Sequence, residues 1–271
     1  MEEAKQILEG AVALFAVGGF TLHKLRHSGA DLPPDKLLGL TWDTMSDTLA
    51  VPLPLPEEIR SRRQLQSFVH RAWDPLGMLA PWTVLGKMAI QQSFAQTGGW
   101  DDPLPRPVAD DVSRLMPHSP LPAECRIPRQ AFDSHSDLIV CCDASQRAYC
   151  AVIYARDLET GLLTFVIART RLAPSAPQLT IPRLELMGAL IAARLAASVR
   201  KAIGIQLPVR FLCDSRNVLY WLQRRKPLKT FVRNRVEEIL SLSSLQEWSY
   251  IPTEANPADK GTRGLRLESL L

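Results

Sequence analysis

Four acidic residues stand where a carboxylate has a use beyond solubility. Asp143 and Asp214 each follow an apolar run and a cysteine, in DLIVCCDAS (137–145) and VRFLCDS (209–215). Glu185 is the sole acid between Thr164 and Leu212, within RLELMGALIAARLAA, and Asp259 falls in the polar segment NPADKGTRG. A carboxylate at the end of a buried run is costly unless it is paired, hydrogen-bonded or bound to a metal. Taken singly, each has an ordinary explanation: a cap, a favourable charge near a helix start, a loop acid. Taken together, four carboxylates on four elements form the ligand set that suits hard cations such as Mg²⁺ or Mn²⁺. The combination carries the argument.

The elements that must position them are legible in the C-terminal half. The apolar run before Asp143 reads as a buried strand, followed by strands AYCAVIYAR (148–156) and LLTFVIART (162–170). A long helix is expected from Pro182 to Ile203, with Thr180 as N-cap and proline in the first turn. VRFLCDS is a fourth strand, NVLYWLQRR and TFVRNRVEEILSL (230–242) are helices, and QEWSYIP (246–252) is a fifth strand. This order predicts an α/β fold of the ribonuclease-H-like type, a five-stranded mixed sheet with flanking helices.

Proline divides the chain. Of 21 prolines, seven fall between Pro103 and Pro128, too many missing donors for a continuous helix or a central strand. Residues 101–135 therefore read as a linker with one short helix near Val108–Met116. Residues 1–100 form a small α+β module and residues 136–271 the sheet domain. The N-terminal module predicts a helix over AKQILEGAVALF, a strand over FTLHKLRH (20–27), and two strands around a turn near Asp43–Asp47. A helix from Pro56 to Trp73, a WDPLG turn and a helix over WTVLGKMAIQQSFAQ follow.

With 271 residues, 46% hydrophobic and 22% charged, the chain has ample material for a core and is no disordered tail. The acidic start Met1-Glu2-Glu3 is unlike a secretory signal, and the Gly10–Leu22 stretch is too short to span a bilayer. A soluble intracellular protein, or a piece of one, is expected. Five cysteines without a C-x-x-C pair read as reduced core thiols rather than disulfides or a zinc finger. The net charge of +4 permits a polyanionic partner. Arg224, Arg225, Lys226, Lys229, Arg233 and Arg235 place six basic groups in twelve residues, either a solvated face or a surface for duplex phosphates. Tyr220 and Trp221 read as core residues.

The segments CCDAS (141–145), IPRLELMGALIAARL (181–195), CDSRNVLYWL (213–222) and IPTEANPADKGTRG (251–264) resemble the ribonuclease H domain of Bel/Pao-type LTR retrotransposon polyproteins. GGFTLHKLRHSG, LLGLTWD and WDPLGMLAPWTVLGK resemble the reverse-transcriptase thumb and connection that precede it. The resemblance implies a two-metal nuclease acting on the RNA strand of an RNA–DNA hybrid and leaving 5′-phosphate and 3′-hydroxyl ends. Asp143, Glu185, Asp214 and Asp259 would be its catalytic and metal-binding carboxylates, with two Mg²⁺ or Mn²⁺ ions and Asp143 bridging them. Arg263 would touch the nucleic-acid backbone near the cut. The implied partners are the hybrid and the reverse-transcriptase part of a larger polyprotein, with no membrane. Cytoplasm, a virus-like particle or the nucleus is the expected location.

Three departures qualify the resemblance. Cys150 stands where such domains commonly have glycine, which is expected to crowd the second strand. No histidine follows His135, so a mobile histidine loop is absent. No Y-x-D-D polymerase motif occurs, so a polyprotein fragment or truncated copy is expected. A peptidase is unsupported, since neither DTG nor DSG occurs and no positioned Cys–His pair is indicated. The competing readings are a non-catalytic binding remnant and an integrase-like member of the same fold.

Overall fold

The computed structural model describes residues 2–53, 58–96, 98–113, 115–116, 124–204 and 206–270. Helix α1 spans Glu2–Val17 and leaves Ile7, Leu14 and Val17 exposed. The segment 20–27 is not a strand; Lys24 takes φ +56°, which breaks its extended run. An antiparallel meander follows, of β1 (Asp35–Leu37), β2 (Leu40–Asp43) and β3 (Thr48–Pro52). The expected turn lies between β2 and β3, where the Asp43 carboxylate accepts the Met45 and Ser46 amides. Helix α2 (Arg62–Arg71) starts at a Ser61–Gln64 capping box, so the helix begins later than its apolar spacing suggested. Residues 54–57, part of that expected helix's approach, lie outside the described residues.

Helix α3 (Ala80–Gln96) buries Trp82 in the N-terminal core, beside Leu79 just before the helix. The proline-rich stretch contains helix α4 (Arg106–Ser113), close to where one was expected. It also contains a strand that its prolines concealed. β4 (Glu124–Pro128) pairs antiparallel with β3, placing Pro128 opposite Thr48. β4 is an edge strand of the β1-β2-β3-β4 sheet, the position where a missing amide donor is tolerated.

The second sheet is built from β5 (Ser136–Ala144), β6 (Ala148–Asp157), β7 (Leu163–Leu172), β8 (Val209–Cys213) and β9 (Trp248–Tyr250). Its order is β7-β6-β5-β8-β9, with β5, β6 and β7 antiparallel and β8 and β9 parallel to β5. Helix α5 (Ile181–Ile203) covers one face, where Leu138, Val140 and Cys142 meet Leu186, Ala189 and Ala193. Ile139 and Cys141 point to the other face, against Ala80 of α3 and Ala258. A strand covered on both faces is apolar without alternation, which is why 137–142 reads as one continuous run. Helices α6 (Arg216–Leu222), α7 (Thr230–Leu242) and the short α8 (Ala258–Arg263) complete the chain.

The described residues of 1–100 give this sheet no strand, yet the halves share packing. The Asp74 carboxylate accepts the amides of Gly77, Met78 and Leu79, closing the WDPLG turn at the start of α3. The Leu76 carbonyl then accepts the Ala168 amide of edge strand β7 at 2.8 Å. Gly77 has φ +78°, and a Cβ there would stand 2.3 Å from the Ala168 carbonyl oxygen, so only glycine permits the approach. In return, Leu267 of the C-terminal tail is buried in the N-terminal core. Among the described residues no helix is long and apolar enough to cross a membrane.

Candidate active site

Strand register brings the first two acids together. β5 and β8 run parallel with Cys142 opposite Cys213, so Asp143 and Asp214, one residue further on, leave the sheet side by side. Asp143 is still within β5 and buried, whereas Asp214 follows the end of β8 and is half-buried. Helix α5 supplies the third acid. A Cβ on Gly188 would lie 2.8 Å from the Asp143 carbonyl oxygen, so the helix can press on the strand end only because residue 188 has no side chain. Glu185 sits three residues earlier on α5, on the neighbouring turn. Its carboxylate accepts the Ser215 hydroxyl at 2.5 Å, while the same hydroxyl oxygen caps α6 by accepting the Val218 amide.

The fourth acid arrives on α8, which is fastened to β5 by buried polar groups. Asn256 donates its side-chain amide to the Cys142 carbonyl at 2.9 Å and accepts the Ala258 amide through its own oxygen. Thr262 donates its hydroxyl to Oδ2 of Asp143 at 2.6 Å, and Ser145 donates to the Thr262 carbonyl. Asp259 is half-buried and accepts Nε of Arg263, one turn along the helix. Cys150 does not crowd its strand: Gly261 of α8 faces its Sγ and leaves the room the thiol needs.

The charges of these acids are felt mutually. Burial pushes the Asp143 carboxyl above the usual carboxylate range; the Thr262 hydrogen bond opposes this, and the Asp214 and Asp259 charges add to it. Glu185 is likewise raised by burial, against its Ser215 hydrogen bond, with Asp214 and Asp143 raising it further. Among the described residues no three His, Cys, Asp or Glu side chains are already closed around one metal position. Asp143, Glu185 and Asp259 each turn an oxygen toward a neighbouring donor. As a donor set, carboxylate oxygens held by four elements at one sheet end fit hard divalent cations.

The basic residues divide. Arg224, Arg225, Lys226, Lys229 and Arg233 are exposed around the α6–α7 connection. Arg235 is not part of that surface: its guanidinium lies 3.5 Å from the Phe231 ring centroid and donates to the Met187 sulfur and the Phe231 carbonyl. Arg263, expected at the nucleic-acid backbone, is paired with Asp259. Trp221 packs against the core as expected, but Tyr220 is exposed, since successive residues of α6 point to different sides. The sequence reading missed Ser215, Gly188, Asn256 and Thr262. Their signal was spacing: a serine beside one acid, a glycine three after another, a threonine three after the last.

A mixed five-stranded sheet in this order, with acids at the ends of adjacent parallel strands and one on the helix across them, defines a ribonuclease-H-like domain. The chain belongs to the Pao retrotransposon-like RNaseH-like domain family, whose model matches residues 61–215. That span includes Asp143, Glu185 and Asp214 and stops short of Asp259. No curated protein matches the chain. Among solved structures it is similar to the N-terminal RNase H domain of a Mycobacterium tuberculosis protein, at 17% identity over 47% of this chain and 91% of that one, with TM-score 0.36. It is similar to RNase H1 of Halobacterium salinarum, at 14% identity over 45% and 89%, with TM-score 0.33. It is also similar to a foamy viral protease-reverse transcriptase solved with dsDNA, at 15% identity and TM-score 0.44. There the match covers 86% of this chain and 46% of the viral one, so this chain spans less than half of that protein's length.

Proposed function

We propose that this protein is a divalent-metal-dependent endonuclease that hydrolyses the RNA strand of RNA–DNA hybrids. The observation that carries the reading is the juxtaposition of Asp143 and Asp214 at the ends of paired parallel strands, with Glu185 brought over them by α5. Asp143, Glu185, Asp214 and Asp259 would hold Mg²⁺ or Mn²⁺, with Asp143 lying between Asp214 and the α8 side. The chemistry such a cation pair supplies when bound is charge stabilisation at the attacking and leaving oxygens of an in-line displacement. The protein's own part is positional. Ser215 and Thr262 orient Glu185 and Asp143 by holding one oxygen of each. The exposed basic connection from Arg224 to Arg233 would hold duplex phosphates, and hybrid selection would rest on shape and 2′-hydroxyl contacts rather than base reading.

The test is cleavage of an end-labelled hybrid with Mg²⁺ and with Mn²⁺, beside the Asp143→Asn variant. RNA cleavage by the parent, lost in the variant while hybrid binding persists, is the expected result. A parent that binds hybrid and never cuts it with either metal would establish the non-catalytic binding reading instead.

A further inference from the structure

The turn that docks on β7 also closes a cavity of about 430 Å³ between the two halves. Trp73, Asp74, Lys87, Arg169 and Thr170 are among its walls. Lys87 projects from the middle of α3, is half-buried, and makes no hydrogen bond or ion pair with any described residue. Asp74, the acid that shares the cavity, has its carboxylate occupied by three backbone amides at 2.7–2.9 Å. Arg169 is exposed and donates through Nη1 to the Pro75 carbonyl at 2.8 Å, leaving Nε and Nη2 for another acceptor. Burial pushes the Lys87 ammonium's pKa down, Asp74 opposes this, and the Arg169 charge adds to it. A partly dehydrated ammonium and a guanidinium facing one space favour an anion with several acceptor oxygens. On the rim, Trp73 is 58% exposed, with its Nε1 fixed on the Leu38 carbonyl.

The cavity's position gives the anion a source. Asp143 pairs with Cys150 and Cys150 with Thr170, so Thr170 lies level with Asp143, two strand spacings or about 10 Å away. That is roughly the axial rise of three base pairs of a duplex. Helix α8 connects the two places: Thr262 holds Asp143, and the adjacent Gly261 carbonyl accepts the Thr170 hydroxyl.

We infer that Lys87 and Arg169 form a second backbone-phosphate site, which holds a phosphodiester of the strand whose neighbouring segment lies on the four acids. The inference takes its ligand from the nuclease reading and adds a site made jointly by the two halves, which gives the N-terminal half a part in substrate binding. A free phosphomonoester offers the same oxygen chemistry, so the test separates the two.

Parent and a Lys87→Gln, Arg169→Gln double variant are titrated with an RNA–DNA hybrid and with duplex DNA, each longer than one helical turn, across a salt series. The variant should bind about fivefold more weakly, with the slope of log K against log salt shallower by about 0.9, the loss of one phosphate contact. Parent-like affinity and slope in the variant overturn the site and leave the nuclease reading untouched. A parent that binds duplexes through this site but never cuts hybrid overturns the nuclease reading and keeps the site. Inorganic phosphate that raises the parent's Tm but not the variant's, with unchanged duplex slopes, identifies a free-anion site and overturns the strand assignment. Because Arg169 also braces Pro75, Lys87→Gln alone is measured alongside. It removes only a half-buried charge and should weaken binding and flatten the slope in the same direction by less. Parent-like affinity and slope in it would overturn the part given to Lys87.

Discussion

The Thr262 hydroxyl donates to Oδ2 of Asp143 at 2.6 Å across 119 sequence positions, joining the last helix to the central strand. Thr262 is fully buried, so its hydroxyl has no water to fall back on. The bond acts on Asp143 in the sense opposite to burial, favouring the charged form that a metal ligand needs.

Thr262→Val keeps the shape and removes the donor. It should cost roughly 1.5–3 kcal/mol near neutral pH, the range for a hydrogen bond to a charged group. The Asp143 carboxyl should titrate higher in the variant, read by carbon NMR of the labelled side chain, and Thr262→Ser should restore the parent's behaviour. An unmoved Asp143 titration in Thr262→Val would remove the positioning role assigned to this residue.

Gly188 makes a second, independent demand. A Cβ at this position meets the Asp143 backbone oxygen at 2.8 Å, and a backbone atom cannot swing aside as a side-chain tip does. Gly188→Ala should therefore cost about 1–3 kcal/mol as an overpacked core contact. It should also displace Glu185 from Asp143 and lower hybrid cleavage more than hybrid binding. Denaturant melts paired with a cleavage assay read both quantities, and a variant with parent stability and activity would show that α5 accommodates the methyl.

The site and the strands that carry it were legible because a carboxylate ending an apolar run is expensive, and sequence alone exposes the expense. Asp143 and Asp214 stood out on that ground, Glu185 as the sole acid of an apolar helix, and the continuous apolarity of 137–142 marked a strand covered on both faces. What stayed hidden depends on partners distant in sequence. β4 was masked by the prolines around it, because only its pairing with β3 makes it a strand. The segment 20–27 read as strand-like but found no partner strand. Arg235 counted as a surface charge until Phe231, four residues earlier, came to lie under its guanidinium. Gly77 and the WDPLG turn announced a bend, though not that the bend would cap edge strand β7.

Asp143→Asn tests the electrostatics through stability. The folded-state pKa values of Asp143 and Glu185 are raised above their unfolded values. A raised carboxyl adds stability in acid, where the folded chain holds the extra proton. That contribution is lost as pH climbs from about 4 through the raised values. In metal-free buffer at pH 7 the variant should therefore melt above the parent by about 2–4 °C, the shift that about 1 kcal/mol gives in a chain of this size. Toward pH 4 the gap should close. Adding Mg²⁺ at pH 7 should raise the parent's Tm and leave the variant's nearly still, as binding to the folded state alone requires. A variant less stable than the parent at pH 7 would mean that Asp143 is not electrostatically strained.

The division among the basic residues yields the last expectation. Arg224, Arg225 and Lys226 are exposed at the end of α6, a seven-residue helix that begins just after Asp214 and Ser215. At 1.5 Å per residue α6 is about 10 Å long, so these residues, just past its end, stand beyond that distance from Asp214, where a duplex seated on the acids can carry its phosphates. Replacing all three by glutamine should weaken hybrid binding and make the salt slope shallower by about 2.7, three contacts at 0.9 each, without changing Tm appreciably. Arg235→Gln should do the reverse, because its charge lies over Phe231 and its donors meet Met187 and a backbone carbonyl. Tm should fall by a few degrees, in keeping with about 1 kcal/mol or more for a partly desolvated cation–π contact, while the salt slope holds. An Arg235→Gln slope that flattens as the triple variant's does would return this arginine to the phosphate-binding surface, and a triple variant with the parent's slope would remove the α6–α7 connection from it.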